Sequence, residues 1–585
     1  MLLRTFIVFA LVSAFLLPSF DSRAATQRRA SLLLVNGKIF TADPEGTIAQ
    51  AVAIDNNRIV AVGTNAEVTR NYRATRTIDL KGRLVTPGFN DAHIHFASGG
   101  LSLLRVDLNG AQSLDEALRR IAQRARELPA GSWVLGRGWD HTLWGNQFPT
   151  RQDLDRVVPD KPVFLQRVDG HVSWANTLAL QKANITRTTQ APEGGEIARD
   201  AQGEATGILK ETAAGLVGRV VPEPSRAEQM QGIERALRDA RSYGLTSIQD
   251  NSGYETTKLY RELLGQGKLT VRVAEWQNFE DSVEELKRQR AEFATFKDDS
   301  LRMRLTALKG YVDGTLGSRT AAMLAPFADD PHNSGIPRRA PQELTRMIVD
   351  RANAGFQIAL HAIGDRANRM ALDGFEAAHR DRRELASFLN NPSIANSFLA
   401  PMARNQNNRP APRHRIEHAQ VIAPSDFQRF AALGVLASMQ PSHAISDKRW
   451  AGARLGEYRV LGAYAWHMME SHGVHVPFGT DFPVEPMNPY LGLFAAVTRQ
   501  STDGDPAGGW LPQERLTIHD AICCYTAESA YASFEEKEKG QIAPGMLADL
   551  VVHSRDLLSI KPQEILQTEA VMTIFDGKVI YEKMP

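Results

Sequence analysis

From about residue 85 to residue 481 the chain alternates short apolar runs with longer stretches of helical texture. Parallel strands cannot be joined by a tight turn, so a repeated strand-then-helix pattern predicts βα units on a parallel sheet. Eight runs can be counted: Val85 to His95, Leu245 to Asp250, Leu269 to Glu275, Leu305 to Val312, Gln357 to His361, His414 to His418, Gly434 to Gln440 and Val474 to Asp481. Eight units predict an α/β fold, a closed (β/α)8 TIM barrel, whose chemistry gathers at the C-terminal ends of the strands.

The flanks have a different texture. Ser31 to Thr86 carries alternating runs (Leu32–Val35, Ala51–Ile54, Ile59–Val62) separated by the turn residues Asn36-Gly37, Asp55-Asn56-Asn57 and Gly63. The far end repeats it with Asp549–Val552, Val571–Phe575, the turn Asp576-Gly577 and Lys578–Tyr581. These are hairpin signals. They predict one small composite β-sandwich from residues 31–86 and 540–585, leaving 87–539 to the barrel. The gap from Phe96 to Ser242 is too long for a single connection, so an insertion with its own structure is expected at about 96–242. Asp381 to Pro412, rich in Asn, Pro and Arg, is expected to form a surface excursion.

The first residues read as an export signal. Arg4 precedes the apolar run Thr5 to Pro18, and Ser22-Arg23-Ala24-Ala25 offers a small-residue cleavage site. A signal peptide over 1–25 predicts a periplasmic or secreted protein. The run is too short to span a bilayer, so no stable membrane anchor is expected after cleavage. Arg28-Arg29 follows the run and makes no twin-arginine signal. The two cysteines, Cys523 and Cys524, are adjacent, where a disulfide would be strained, and read as buried small side chains. A formal net charge of +1, without blocks of like charge, argues against a nucleic-acid partner and for a neutral or modestly charged small molecule. A homo-oligomer is compatible with the sequence.

The strongest local signal is Pro87-Gly88-Phe89-Asn90-Asp91-Ala92-His93-Ile94-His95. Histidines at i and i+2 on a strand point to one face and can bind one metal ion side by side. Alone, the pair is weak evidence. Its weight comes from His361, His418 and Asp481, which also stand at strand ends, whereas most of the other eleven of the 15 histidines lie in helical or loop-like stretches. Four histidines and an aspartate at strand termini are hard to explain by packing.

The segments PGFNDAHIH, LKGYVDGTLGSRTA, LHAIGDRA, RIEHAQ, MQPSH and FGTDFPVEP together resemble the amidohydrolase superfamily, most closely its third subgroup, which includes N-substituted formamide deformylase-like proteins. The resemblance spans about Leu32 to Val579. It implies a barrel with a composite β-sandwich and one or two divalent metals, usually zinc. It makes His93, His95, His361, His418 and Asp481 metal ligands. It matches Lys309 to a lysine that, in binuclear members, is carboxylated by CO₂ to a carbamate bridging two metals. Such a carbamate suits the site, since a free ammonium beside divalent cations would be repelled. The other reading has Lys309 as an ordinary amine pairing with Asp313, itself a ligand, a substrate contact or a turn-former.

The implied activity is hydrolysis of a non-peptide carbon–nitrogen bond (amide, formamide, cyclic amide or carbamate) by metal-activated hydroxide. Asp481 and His418 are the catalytic candidates, with Asp481 taking the water's proton and returning it to the leaving nitrogen. Substrate contacts are sought in His171, in a segment that resembles a recurrent one of the subgroup, and in His443, placed to stabilise an oxyanion. Arg319, Trp139 and Trp450 are weaker candidates. An esterase, lactonase or isomerase would use the same machinery. A silent binding protein that kept the barrel is the reading from outside enzymes, and no expected ligand is missing.

Overall fold

The computed structural model describes residues 27–167, 172–296, 298, 301–389 and 412–583, the side chains of 384–389 excepted. The expected signal segment, His171 and most of the Asp381–Pro412 excursion lie outside the described residues. Among the described residues no helix is long and apolar enough to cross a membrane.

Seven parallel strands form one ladder: Phe89–Ile94, Leu245–Asp250, Arg272–Asn278, Met303–Tyr311, Gln357–Ala362, Arg415–His418 and Leu436–Ser438, paired in that order. Most of these strands are buried on both faces, as a sheet covered by helices requires. The run Val85 to His95, expected as one strand, is two. Leu84–Pro87 pairs with the terminal strands and Phe89–Ile94 with the barrel. They part at Gly88, where a Cβ would lie 2.2 Å from Thr246 Oγ1.

The expected eighth strand is present as a segment without a ladder. It bonds to the seventh strand's segment through Ala437 N–H to His475 O (3.1 Å), Met439 N–H to Pro477 O (3.0 Å) and Gly479 N–H to Met439 O (3.1 Å). On its other side Ala92 N–H reaches Phe478 O (3.0 Å) and Asp481 N–H reaches His93 O (2.7 Å). Only one parallel bridge results, Met439 to Phe478, because Pro477 has no N–H to give. The barrel is therefore nearly closed. Its seam is tight: a Cβ on Gly479 would sit 2.5 Å from His93 N.

Two further sheets pack together beside the barrel. Arg58–Gly63, Ala51–Asp55, Arg28–Val35 and Tyr72–Asp79 form one; Lys578–Glu582, Ala570–Phe575, Leu550–His553, Leu84–Pro87, Lys38–Phe40 and Ile48–Ala49 form the other. One apolar cluster, including Leu34, Val52, Ile54, Val85, Leu550 and Ile574, joins them. Buried Arg272 of the third barrel strand ties the second of these sheets to the barrel through Asp549 (2.6 Å) and Asp576 (3.1 Å). Between the first and second barrel strands, a six-stranded sheet runs from Val106–Asp107 to Ala205–Glu211 over its own apolar cluster, in which Trp139 is fully buried.

Candidate metal centre

The alternation of each barrel strand turns its last inward residue toward the mouth, and the loops that follow complete the ring. His93 and His95 come from the first strand's end, Lys309 from the fourth, His361 from the fifth, His418 from the sixth, and Asp481 from the closing segment. The structure brings all six together. Asp481 Oδ1 lies 3.2 Å from His95 Nε2 and 3.5 Å from His93 Nε2, and Lys309 Nζ lies 3.0 Å from His93 Nε2. The His418 ring centroid is 5.1 Å from that of His93 and 4.5 Å from that of His361. His418 and Asp481 hold their positions with φ of 72° and 56°, in the left-handed region that costs a side chain on the order of 1–3 kcal/mol.

Neighbours fix the imidazole tautomers. His93 Nδ1 lies 2.5 Å from Glu417 Oε2, so the proton sits on Nδ1 and the Nε2 lone pair faces the site. His418 Nδ1 likewise donates to Gln440 Oε1 (2.8 Å), leaving Nε2 free. His361 Nε2 donates to Gly314 O (3.0 Å), leaving Nδ1 as the acceptor.

Electrostatics keep three of these imidazoles, His93, His361 and His418, neutral around a carboxylate. Burial, helped by the Lys309 charge, pushes His93 down to about 4 and His361 to about 3, and burial with the neighbouring His361 puts His418 well below the usual imidazole range. Burial works against the Asp481 carboxylate, yet His93, His95, His418 and His443 hold it well below the ordinary carboxyl range. Burial also lowers the Lys309 amine to about 8, against the pull of Glu417 and Asp481.

The fit to a cation can be tested on these atoms. Asp481 Oδ1 is buried and accepts no well-directed hydrogen bond, although two imidazole nitrogens stand beside it. His443 Nε2, 3.6 Å from Asp481 Oδ2, is equally without a partner. Two groups of three ligand atoms lie close enough for one ion each: His93, His95, Asp481 and His418, His443, Asp481. A mixed nitrogen and carboxylate set with unsatisfied lone pairs is what a divalent ion such as zinc takes.

Comparison with known proteins gives this geometry its family. The model of the amidohydrolase family matches residues 76–581. The chain belongs to the amidohydrolase family. It is a hydrolase of the class that acts on carbon–nitrogen bonds other than peptide bonds. This amidohydrolase is similar to the protein LONG AFTER FAR-RED 3 of Arabidopsis thaliana, 32% identical over 94% of this chain and 92% of that one. It is similar to the N-substituted formamide deformylase of Arthrobacter pascens, 29% identical over 95% of this chain and 99% of that one. Among solved structures, an uncharacterized metal-dependent hydrolase from Pyrococcus horikoshii OT3 superposes with a TM-score of 0.70 at 29% identity, over 91% of this chain and 99% of that one.

The amidohydrolase's mouth opens into a cleft of about 440 Å³. His95, Lys309, His361, His418, His443 and Asp481 line its floor; Tyr311, Leu316, Trp450 and Val484 line its walls. Trp450 therefore faces the cleft, whereas Trp139 is spent on packing, its indole donating to Leu165 O (3.0 Å). Asp313 corrects two expectations. It is fully buried and makes no pair with Lys309; its oxygens accept N–H bonds from Ala322 (2.8 Å), Ile363 (3.0 Å) and Gly364 (2.8 Å), so it clasps the loops behind His361 instead of meeting substrate. Arg319 is turned toward Asp329 (2.9 Å), away from the cleft floor.

Sequence reasoning missed Glu417 and Arg415, both wholly buried. Arg415 donates to Glu417 Oε1 (2.5 Å) and to Ala92 O (2.8 Å), so the carboxylate that orients His93 is itself held. Burial alone would raise the Glu417 carboxyl, but Arg415 and His93 bring it down to about 2. The signal was there: in Arg415-Ile416-Glu417-His418, positions 415 and 417 share a face, and a buried opposite-charge pair needs a reason.

Proposed function

We propose that this amidohydrolase opens a non-peptide carbon–nitrogen bond, of amide, formamide or cyclic amide type, in a small uncharged molecule. It would hold one or two divalent ions, zinc suiting the donor set, on His93, His95, His361, His418 and Asp481. Lys309 joins them as a carbamate: its amine nitrogen adds to CO₂ with loss of a proton, and a pKa brought to about 8 keeps enough neutral amine for this. The observation that carries the reading is the buried, unsatisfied Asp481 Oδ1 with the Nε2 atoms of His93 and His95 beside it.

When bound, such an ion supplies Lewis acidity and lowers the pKa of its water from about 15.7 toward about 7. The chain's own groups do the rest. The Asp481 carboxylate takes the water's proton and delivers it to the departing nitrogen, a role for which a carboxylate that stays ionised is suited. His443 Nε2, unpartnered at the cleft floor, is placed to hold the oxygen on which charge develops. Gln440 and Glu417 keep the histidine tautomers fixed, and Tyr311, Leu316, Trp450 and Val484 receive the apolar body of the substrate.

Elemental analysis of the purified protein, with a panel of N-substituted formamides, cyclic amides and matched esters, tests this. Bound zinc in stoichiometric amount and amide turnover are expected, with Asp481→Asn lowering kcat by about 10²–10⁴-fold while the metal is partly retained. Metal-free protein, or turnover of esters alone, would overturn the reading.

A further inference from the structure

Behind the metal centre, on the side of the sheet that faces the helices, two carboxyl groups meet. Asp250 and Glu275 are direct partners in the parallel ladder between the second and third strands, and both are fully buried. As neighbours on adjacent strands, their side chains share one buried environment, in which each carboxyl acts on the other. Two ionised carboxylates in that position would repel in a medium that screens poorly.

The surrounding donors are divided unequally. Asp250 accepts from Phe96 N–H (2.7 Å), Ser252 Oγ (2.8 Å) and Tyr260 Oη (2.5 Å). Glu275 accepts from Gly253 N–H (2.8 Å) and Trp276 N–H (3.3 Å), both at Oε1. Its Oε2 is buried and finds no N–H or O–H donor. A buried oxygen without a donor is satisfied when it carries the proton itself, and the carboxylate of its ladder partner Asp250, whose two oxygens have lone-pair capacity beyond those three bonds, is the acceptor across the ladder. Burial and the adjacent Asp250 both favour the protonated form of Glu275, pushing it well above the ordinary carboxyl range.

What Asp250 does with its charge connects this pair to the site. Phe96 is the first residue of the helix Phe96–Ser102 and follows His95 directly; His95 occupies the cap position but supplies no side-chain cap. The Asp250 carboxylate takes that place, and Ser252 Oγ extends the clasp to Ala97 N–H (3.2 Å). The titratable groups that face the pair from neighbouring elements are Tyr260, on the helix Thr256–Gly265, and the His95 imidazole.

We propose that Glu275 is a carboxylic acid in the folded protein, donating from Oε2 to the Asp250 carboxylate, and that the pair is a positioning device that sets His95 through the backbone of Phe96. The second half rests on His95 being a metal ligand; the first half does not. Glu275→Gln keeps a donor facing Asp250 and an acceptor for Gly253 and Trp276, so it should retain metal stoichiometry and kcat within about threefold. Glu275→Ala and Asp250→Asn should each weaken metal affinity by about 10–100-fold, the size typical of lost outer contacts to a ligand. Infrared spectra provide a readout independent of catalysis: a buried protonated-carboxyl band present in the wild type at neutral pH and missing in Glu275→Gln. The first half is overturned if that band is absent, or if Glu275→Gln loses as much metal as Glu275→Ala. Unchanged metal affinity in Asp250→Asn overturns the second half. A wild type that shows the band yet binds no metal would sink the metal reading and leave the shared proton standing.

Discussion

Glu417 carries a full charge where a charge is costly, and the residues around it explain why it is kept. Neutral imidazoles need an oriented N–H if their other nitrogen is to meet a cation, and a carboxylate at 2.5 Å orients His93 more firmly than a neutral acceptor would. Glu417→Gln keeps an acceptor but removes the charge, leaving Arg415 buried against a neutral group. Metal affinity should fall about 10–100-fold. The loss of the Arg415 pair should separately cost on the order of 3–5 kcal/mol in urea unfolding of the metal-free protein. A variant that binds metal like the wild type would mean that His93 is not oriented by this contact. Backbone strain belongs to the same scale. His418 and Asp481 sit at positive φ, and neither is glycine. Residues held there by the surrounding structure mark places where side-chain direction matters more than local comfort.

Among the elements, the strand Leu550–His553 shows how an end of the chain is tied to the barrel. Buried His553 lies 3.0 Å from Thr86 Oγ1 and 2.8 Å from Tyr490 Oη. Thr86 spends its own hydroxyl proton on Pro87 O, so His553 Nε2 is the donor to Thr86 and Nδ1 accepts from Tyr490. That arrangement fits only the neutral ring, and burial pushes the group down to about 3. A folded pKa depressed below the unfolded value near 6.5 gives stability that is present above that value and is lost as pH falls toward the folded one. At pH 5 the loss from His553 should be about 2 kcal/mol relative to pH 7. Urea midpoints at the two pH values, wild type against His553→Gln, measure it; an equal acid loss in both would assign the effect elsewhere. The sequence made such elements legible where a period repeats, since apolar runs and turn residues mark both the terminal strands and the seven barrel strands. It misled where a single residue decides. Gly88 splits a continuous apolar run between two sheets, and Pro477 leaves the closing segment without a ladder. Asp313 illustrates the limit for the site: an Asp-Gly pair reads equally as ligand or turn, and only its three backbone donors show that both oxygens are already taken.

At the scale of the molecule, the six side chains of the centre come from four strands and a closing segment that spans the gap in the barrel. An ion held by them would therefore act as a clasp across that seam as well as a reagent. Binding to the folded state alone stabilises by about 2.7 kcal/mol when free ligand is a hundredfold above Kd. Chelation should accordingly lower Tm by several degrees and restore it on adding zinc back. The loss should be local in hydrogen exchange. Amides that bridge the seam, such as Ala92, Gly479 and Asp481, should lose protection first. Those of Arg28–Val35 and Ala51–Asp55, in a sheet with its own core, should not change. Uniform loss across both regions would mean that chelation acts on global stability and not on the seam, and unchanged Tm would remove the ion from the fold altogether.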